Sequence, residues 1–295
     1  MFTPSLGDAK LRWNRAGEHV NLLNDACLAV IESGGYRFDP DCDEQGLGKI
    51  IFRDDVDPDL LRRVSTYFGE VVGNLWAARN YVVWHLACLR EGTETPSHWK
   101  NLGFPIFPVE PGPTETFWGR AQRKLKGLDR SDVAKIEAVQ PYQTGNQDPV
   151  SGLRMADTTD PHYVLEELAI LDRHRRLAVT GLFPVFMEPD VKVISGDVTI
   201  ASINPHDSMV DRPLKDGDVM ATFIVKGSPP YEFAASPGAM VQIFPRDVLT
   251  PSASFDVWVR RMQACVSNLI DDFAAEFGED RLDWTPPAQL WVPTP

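Results

Sequence analysis

The strongest constraint on folding lies between Asp57-Pro58 and Gly92. Aspartate followed by proline at the first helical position starts a helix, and glycine stops one. The sequence therefore predicts a single long helix from Pro58 to about Arg90. Leu60, Leu61, Val64, Phe68, Val71, Val72, Leu75, Val82, Val83, Leu86 and Leu89 keep helical spacing, and the second half is apolar nearly all round. Such a segment belongs at the centre of a fold. Its clearly polar members between Leu75 and Leu89 are Arg79, Asn80, Tyr81 and His85, and each needs a partner once buried. For the Arg79 guanidinium the first carboxylate expected is Asp172.

Three further long helices are expected. The first covers about Ser5 to Ser33, on the stripe Leu11, Val20, Leu23, Ala26, Leu28 and Ile31, before Gly34-Gly35. Another starts at Asp160-Pro161 and runs through Leu165, Leu168, Leu171 and Leu177 to about Thr180. The last spans Ser254 to Phe277. Short helices are expected near Glu115 to Lys126 and Ser131 to Val139, after an extended apolar strap containing Phe104-Pro105-Ile106-Phe107. Strand-like runs fall at Tyr36 to Phe38 and Lys49 to Phe52, a hairpin whose connection is the long acidic loop Asp39 to Gly48. More follow at Val191 to Ile194, Val198 to Ile200, Val219 to Lys226, Tyr231 to Ala234 and Met240 to Phe244. The expected fold is α+β and α-rich: four long helices in a bundle, a short N-terminal hairpin, and a small antiparallel β insertion before the last helix. As one domain this places the bundle at 1–188 and 251–278, the insertion at 189–250 and an extended tail at 279–295. The alternative is two domains divided near Pro189.

Composition narrows the function classes. At 43% hydrophobic and 24% charged over 295 residues, the chain can bury a large core, and no apolar run reaches the roughly 20 residues of a bilayer span. No membrane partner is expected. Met1-Phe2-Thr3-Pro4-Ser5 lacks a basic flank before an apolar segment, so a cytoplasmic location is expected. Cys27, Cys42, Cys88 and Cys265 form no C-x-x-C pair and read as free, packed thiols. The net charge of -13 disfavours RNA, although Arg120, Arg123, Lys124, Lys126 and Arg130 cluster as a basic face. Asp41, Asp43 and Glu44 do not match a calcium loop, and His162, Glu166 and Glu167 read as a helix start rather than a metal set. No metal and no cofactor is expected. Serine-hydrolase, zinc-protease, P-loop and dinucleotide motifs have no anchor in the chain.

Two constellations carry chemistry. In the first, Arg79-Asn80-x4-His85, six residues advance about 600° around a helix, so Arg79 and His85 stand about 120° and roughly 9 Å apart. A joint site then needs convergence across a dimer or on a ligand held between helices, with Arg on phosphate charge and His transferring a proton. In the second, Asp172-Arg173-His174-Arg175-Arg176 offers either a phosphate- or acid-binding patch or a charged helix end favoured by the dipole.

The spacing Arg79-Asn80-x4-His85 resembles the motif of HEPN proteins, helical bundles that are often dimeric, metal-independent ribonucleases. About half the chain also resembles a group of helical proteins of actinobacteria and their phages. In that group one helix reads Asn-Leu-Arg-x-Ala-Leu-Asp-His-Leu and a later one ends in an Asp-Lys-His-Arg-like string. The matching positions here are Asn74 to Val82 and Leu171 to Arg175, with Phe104 to Phe107 and Val139 to Tyr142 also similar. This register puts Trp76 where the group has Arg and Tyr81 where it has His. The resemblance implies a HEPN-like, non-catalytic binding protein. The alternative it implies is a metal-independent, homodimeric ribonuclease using Arg79, Asn80 and His85.

Overall fold

The structure, a computed structural model, describes residues 3–147, 149, 153–174, 179–185, 190–195, 198–205, 214–227, 232–236, 240–245, 255–282 and 284. The order of elements is α1 (Gly7–Glu32), β1 (Tyr36–Cys42), β2 (Leu47–Asp54), α2 (Pro58–Glu91), α3 (Phe117–Ala121), α4 (Arg130–Ala138), β3 (Asn146–Gln147), β4 (Arg154–Met155) and α5 (Pro161–His174). Then come β5 (Val179–Val185), β6 (Asp190–Ser195), β7 (Val198–Pro205), β8 (Val219–Gly227), β9 (Glu232–Ser236), β10 (Met240–Pro245) and α6 (Phe255–Ala274). The fold is mixed α+β and divides into two compact units.

The first unit comprises Met1–Leu23, Thr66–Leu177 and Asp256–Val292. Side chains cap the helix starts: Asp57, at the head of α2, accepts from Asp59 N at 2.9 Å, and Asp160, at the head of α5, from His162 N at 2.9 Å and Tyr163 N at 3.1 Å. Asp129 and Asp132 cap α4 reciprocally. In α2 the residues Leu75, Ala78, Arg79, Val82, Val83, Leu86 and Ala87 are all fully buried, as a central helix requires. Trp13 Nε1 donates to the Gln263 carbonyl at 3.1 Å, joining α1 to α6. Arg12 donates to Asn74 at 3.2 Å, joining α1 to α2.

Two polar devices fix the rest of this unit. The extended strap keeps its backbone satisfied through amides: Asn80 Oδ1 accepts from Phe104 N at 2.8 Å, while Gln140 Oε1 accepts from Phe107 N at 3.1 Å and its Nε2 donates to the Pro105 carbonyl at 3.0 Å. Near the end of α2, Arg90 grips the fully buried Asp132 with two hydrogen bonds of 2.8 and 2.7 Å and reaches Glu276 at 3.0 Å. Lys135 meets the same Glu276 at 3.0 Å. Bidentate pairing of this kind offsets the desolvation of a buried carboxylate.

The second unit comprises Asn24–Ser65, Ala178–Phe255 and Pro293–Pro295. Its centre is an antiparallel sheet in the order β1-β2-β8-β7. Ile50, Ala221, Phe223 and Val225 form the buried face, packed by Phe38, Cys42, Ile200, Ile203, Met220 and Phe233. Two ribbons, β5 with β10 and β6 with β9, complete the strands.

The structure corrects several expectations. The hairpin is not separate from the β insertion, because β2 pairs with β8, with Leu47 opposite Ile224 and Ile50 opposite Ala221. The acidic stretch is not a long loop: Asp39 and Asp41 lie in β1, and Asp43 closes a tight turn by accepting from Gln45 N and Leu47 N, both at 2.9 Å. The helix expected to reach Thr180 ends at His174, and Val179–Val185 is a strand whose Pro184 sits opposite Val241. The helix expected over Glu115 to Lys126 is confined to Phe117–Ala121. The four cysteines are free thiols, with Cys27, Cys88 and Cys265 buried. Of the tail, 285–295 lie outside the described residues, while Glu279 accepts from Leu6 N at 2.7 Å and Trp284 meets Trp13 edge-on at 5.6 Å. Among the described residues, no helix is long and apolar enough to cross a membrane.

Two glycines give opposite expectations. A Cβ at Gly73, in α2, would meet nothing within 4 Å, whereas one at Gly48 would sit 2.2 Å from the Phe223 ring. Gly73→Ala is expected to raise the urea-unfolding free energy by roughly 0.5–1 kcal/mol, by removing backbone entropy from the unfolded chain. Gly48→Ala is expected to lower it by about 1–3 kcal/mol through overpacking.

Candidate functional site

Three of the polar residues in α2 turn to different neighbours. Arg79 has 0% exposure and faces α5, where it forms an ion pair with Glu166 and donates to the His162 carbonyl at 3.0 Å. Glu166 also accepts from Trp76 Nε1 at 3.0 Å. The guanidinium carbon stands 5.2 Å from the Phe104 ring centre, and His162 stacks on that ring at 5.7 Å, 16° from parallel. The strap, α2 and α5 thus meet around one buried cation.

Asn80 donates to the Trp76 carbonyl at 2.8 Å and holds Phe104 of the strap. His85 faces α1 instead, with Nε2 3.3 Å from Asp8 Oδ2, a close approach without hydrogen-bond alignment. Burial lowers the His85 pKa, and the Asp8 carboxylate works against that shift. Asp8 is 64% exposed, so this pair borders solvent. Arg79 and His85 are therefore not brought together within the chain.

The expected partner of Arg79 is also corrected. Asp172 lies against Gly69, whose added Cβ would stand 2.8 Å from Asp172 Oδ1. Ten residues of helix separate Gly69 from Arg79, about 15 Å along the axis. Glu166, six residues nearer the start of α5, is the residue in reach. Arg173 and His174 occupy the last turn of α5, but their side chains, and Arg175 and Arg176 entirely, lie outside the described residues.

His162, which from the sequence reads as part of a helix start, is a second buried ionisable group at this point. It is buried, its Nδ1 has no hydrogen-bond partner among the described residues, and burial together with the Arg79 charge lowers its pKa to about 3. The signal was present in the spacing: His162, Glu166 and Ala169 share one face of α5, and an Arg on a facing helix needs a carboxylate there. Beside the start of α5 a cleft of about 390 Å³ is lined by Thr144, Asp157, Asp160, Arg261, Cys265 and Asn268, among others. Burial pushes the Cys265 thiol up to about 12, which makes it a poor nucleophile. Among the described residues no group of His, Cys, Asp and Glu is arranged to hold a metal.

Comparison with protein families, with characterised proteins and with solved structures finds no match.

Two measurements test this geometry. Arg79→Ala strands Glu166 and is expected to cost about 3–5 kcal/mol in urea unfolding. Arg79→Met combined with Glu166→Gln, which leaves no lone charge and keeps an acceptor for Trp76, is expected to cost clearly less. The second measurement concerns His162. A folded pKa of about 3, below the unfolded value, keeps the imidazole neutral in the fold. The unfolded chain then binds a proton that the folded chain refuses, so the contribution is full above about pH 6.5 and is lost as pH falls toward 3. Unfolding free energy should fall by roughly 1.4 kcal/mol per pH unit from this group between about pH 6 and 4. His162→Phe, which keeps a ring on Phe104, should remove one proton's worth of that slope.

Proposed function

We propose that this chain is a HEPN-like four-helix-bundle protein that binds a partner and does not cleave RNA. One observation carries this: Arg79, the cation that a ribonuclease site would aim at phosphate, is fully buried and paired with Glu166. A guanidinium with a carboxylate on one terminal nitrogen, a backbone carbonyl on the other and no accessible surface has nothing to offer an incoming phosphodiester. The amide of Asn80 is likewise committed to the strap. The register of the resemblance, with Trp76 and Tyr81 at the positions of Arg and His, supports the same conclusion. α1, α2, α5 and α6 are the four helices of the bundle in this proposal.

The test is an RNA cleavage assay with EDTA present, on protein of measured oligomeric state and with structured and unstructured RNAs. The expected result is no cleavage by the wild type and no difference for His85→Ala. EDTA-resistant cleavage that disappears in a folded His85→Ala variant overturns the proposal and assigns the chain to the metal-independent ribonucleases. Growth of cells expressing wild type or His85→Ala reads the same distinction, since an active ribonuclease is toxic and its His85 variant is not.

A further inference from the structure

Trp99 and Trp118 are 48% and 43% exposed, and they are the exposed tryptophans among the described residues. Trp99 opens the short turn Trp99–Asn101, and Trp118 lies in the first turn of α3. The two segments are joined: Arg123 Nη2 donates to Asn101 Oδ1 at 3.4 Å, and Gly103 N donates to the Lys124 carbonyl at 3.2 Å. Gln122 N donates to the Trp118 carbonyl at 2.8 Å, so the helical turn that carries Trp118 continues to the residue before Arg123. Lys100, Arg123, Lys124 and Lys126 are all exposed in these two joined segments.

Charge sets this face apart. The run Phe117–Leu128 contains Arg120, Arg123, Lys124 and Lys126 and no carboxylate, in a chain of net charge -13. Lys100, Arg123 and Lys126 have no ion-pair partner among the described residues. Of the nearby acids, Glu115 approaches Arg120 at 3.8 Å, and Glu91 accepts from Ser97 N at 2.8 Å and Ser97 Oγ at 3.1 Å, which turns its carboxylate toward that serine. Trp99 is braced by Trp84, 6.4 Å between ring centres, and the Lys100 ammonium lies 5.4 Å from the Trp99 ring centre.

We propose that this face docks on an anionic lipid bilayer, with both indoles at headgroup depth and the four cations against lipid phosphates. Indoles favour the zone where one edge is apolar and the other wet. Lysine lays its alkyl stem along apolar surface and leaves the ammonium among headgroups. Attraction to an anionic surface decays within a Debye length, so the charges at the contact count for more than the net charge of the whole chain. A single-stranded nucleic acid would also use aromatics and cations, but base stacking needs open ring faces. Here Lys100 covers the Trp99 ring, and three of the four cations are lysine rather than the arginine that stacks. The contact is peripheral. It uses none of Arg79, Asn80 and His85, so its failure is distinguishable from failure of the proposed binding function.

Co-sedimentation of the full chain with vesicles tests it, using phosphatidylcholine alone and an equal mixture with phosphatidylglycerol. Binding is expected to the mixed vesicles at low salt and not to phosphatidylcholine alone, with a blue shift of tryptophan emission. Lys124→Ala with Lys126→Ala should weaken partitioning roughly 30-fold. Trp99→Ala with Trp118→Ala should abolish the blue shift. The lysine variants touch only surface side chains, so they report even if the tryptophan pair proves unstable. Absence of wild-type binding to mixed vesicles overturns the proposal, as does equal binding by the lysine variants. Binding of a labelled oligothymidine through the same residues, without vesicle binding, overturns it in favour of nucleic acid.

Discussion

The ion pair between Arg79 and Glu166 is the interaction around which the helical unit is organised. A guanidinium inside an apolar helix is tolerable only when a carboxylate and a carbonyl reach it together, and both come from α5, Glu166 and the His162 backbone four residues apart. That pairing admits one rotation of α5 against α2, because any other leaves a charge without its counterpart. Phe104 of the strap then covers the cation from a third side. His162 is kept neutral by the same arrangement, since a second positive charge beside Arg79 in a dry interior has no compensation. One buried cation therefore specifies a helix rotation, a strap position and a protonation state.

The same economy recurs with neutral groups. A proline-rich strap cannot satisfy its own backbone, and Asn80 and Gln140 supply what it lacks from α2 and the end of α4. At the other end of α2, Arg90 gathers Asp132 and Glu276, which ties α4 and the turn after α6 to this buried helix. The polar residues of α2 are thus distributed among different neighbours, one device to each.

What the sequence revealed follows from which forces are local. Asp57-Pro58 and Asp160-Pro161 marked helix starts because a cap and a fixed φ are properties of adjacent residues. Alternation and β-branching located most strands for the same reason. Pairing between β2 and β8 was invisible, because about 170 residues separate Ile50 from Ala221 and no local signal encodes that register. The third long helix was overextended because Leu171 and Leu177 continue its stripe, while Val179, Thr180 and Val185 are equally at home in a strand. At the candidate site, the need of Arg79 for a carboxylate was legible and its identity was not. Asp172 and Glu166 lie on one predicted helix, and only the antiparallel or parallel sense and offset of two packed helices decides between them.

A linear motif states a spacing, whereas catalysis requires side chains that converge on a shared point. Arg79 and His85 leave α2 about 120° apart, and each ends against a different helix, Arg79 on α5 and His85 on α1. A second copy could complete a divided site only by reaching atoms that the first leaves accessible. Arg79 has no such atoms, enclosed as it is by Glu166, the His162 carbonyl and Phe104. His85 differs, since its carboxylate neighbour Asp8 stands in solvent and the imidazole edge lies just beneath it. The two residues of the spacing therefore have separate surroundings: Arg79 is held among Glu166, His162 and Phe104 in the interior, and His85 lies beside Asp8 near the surface.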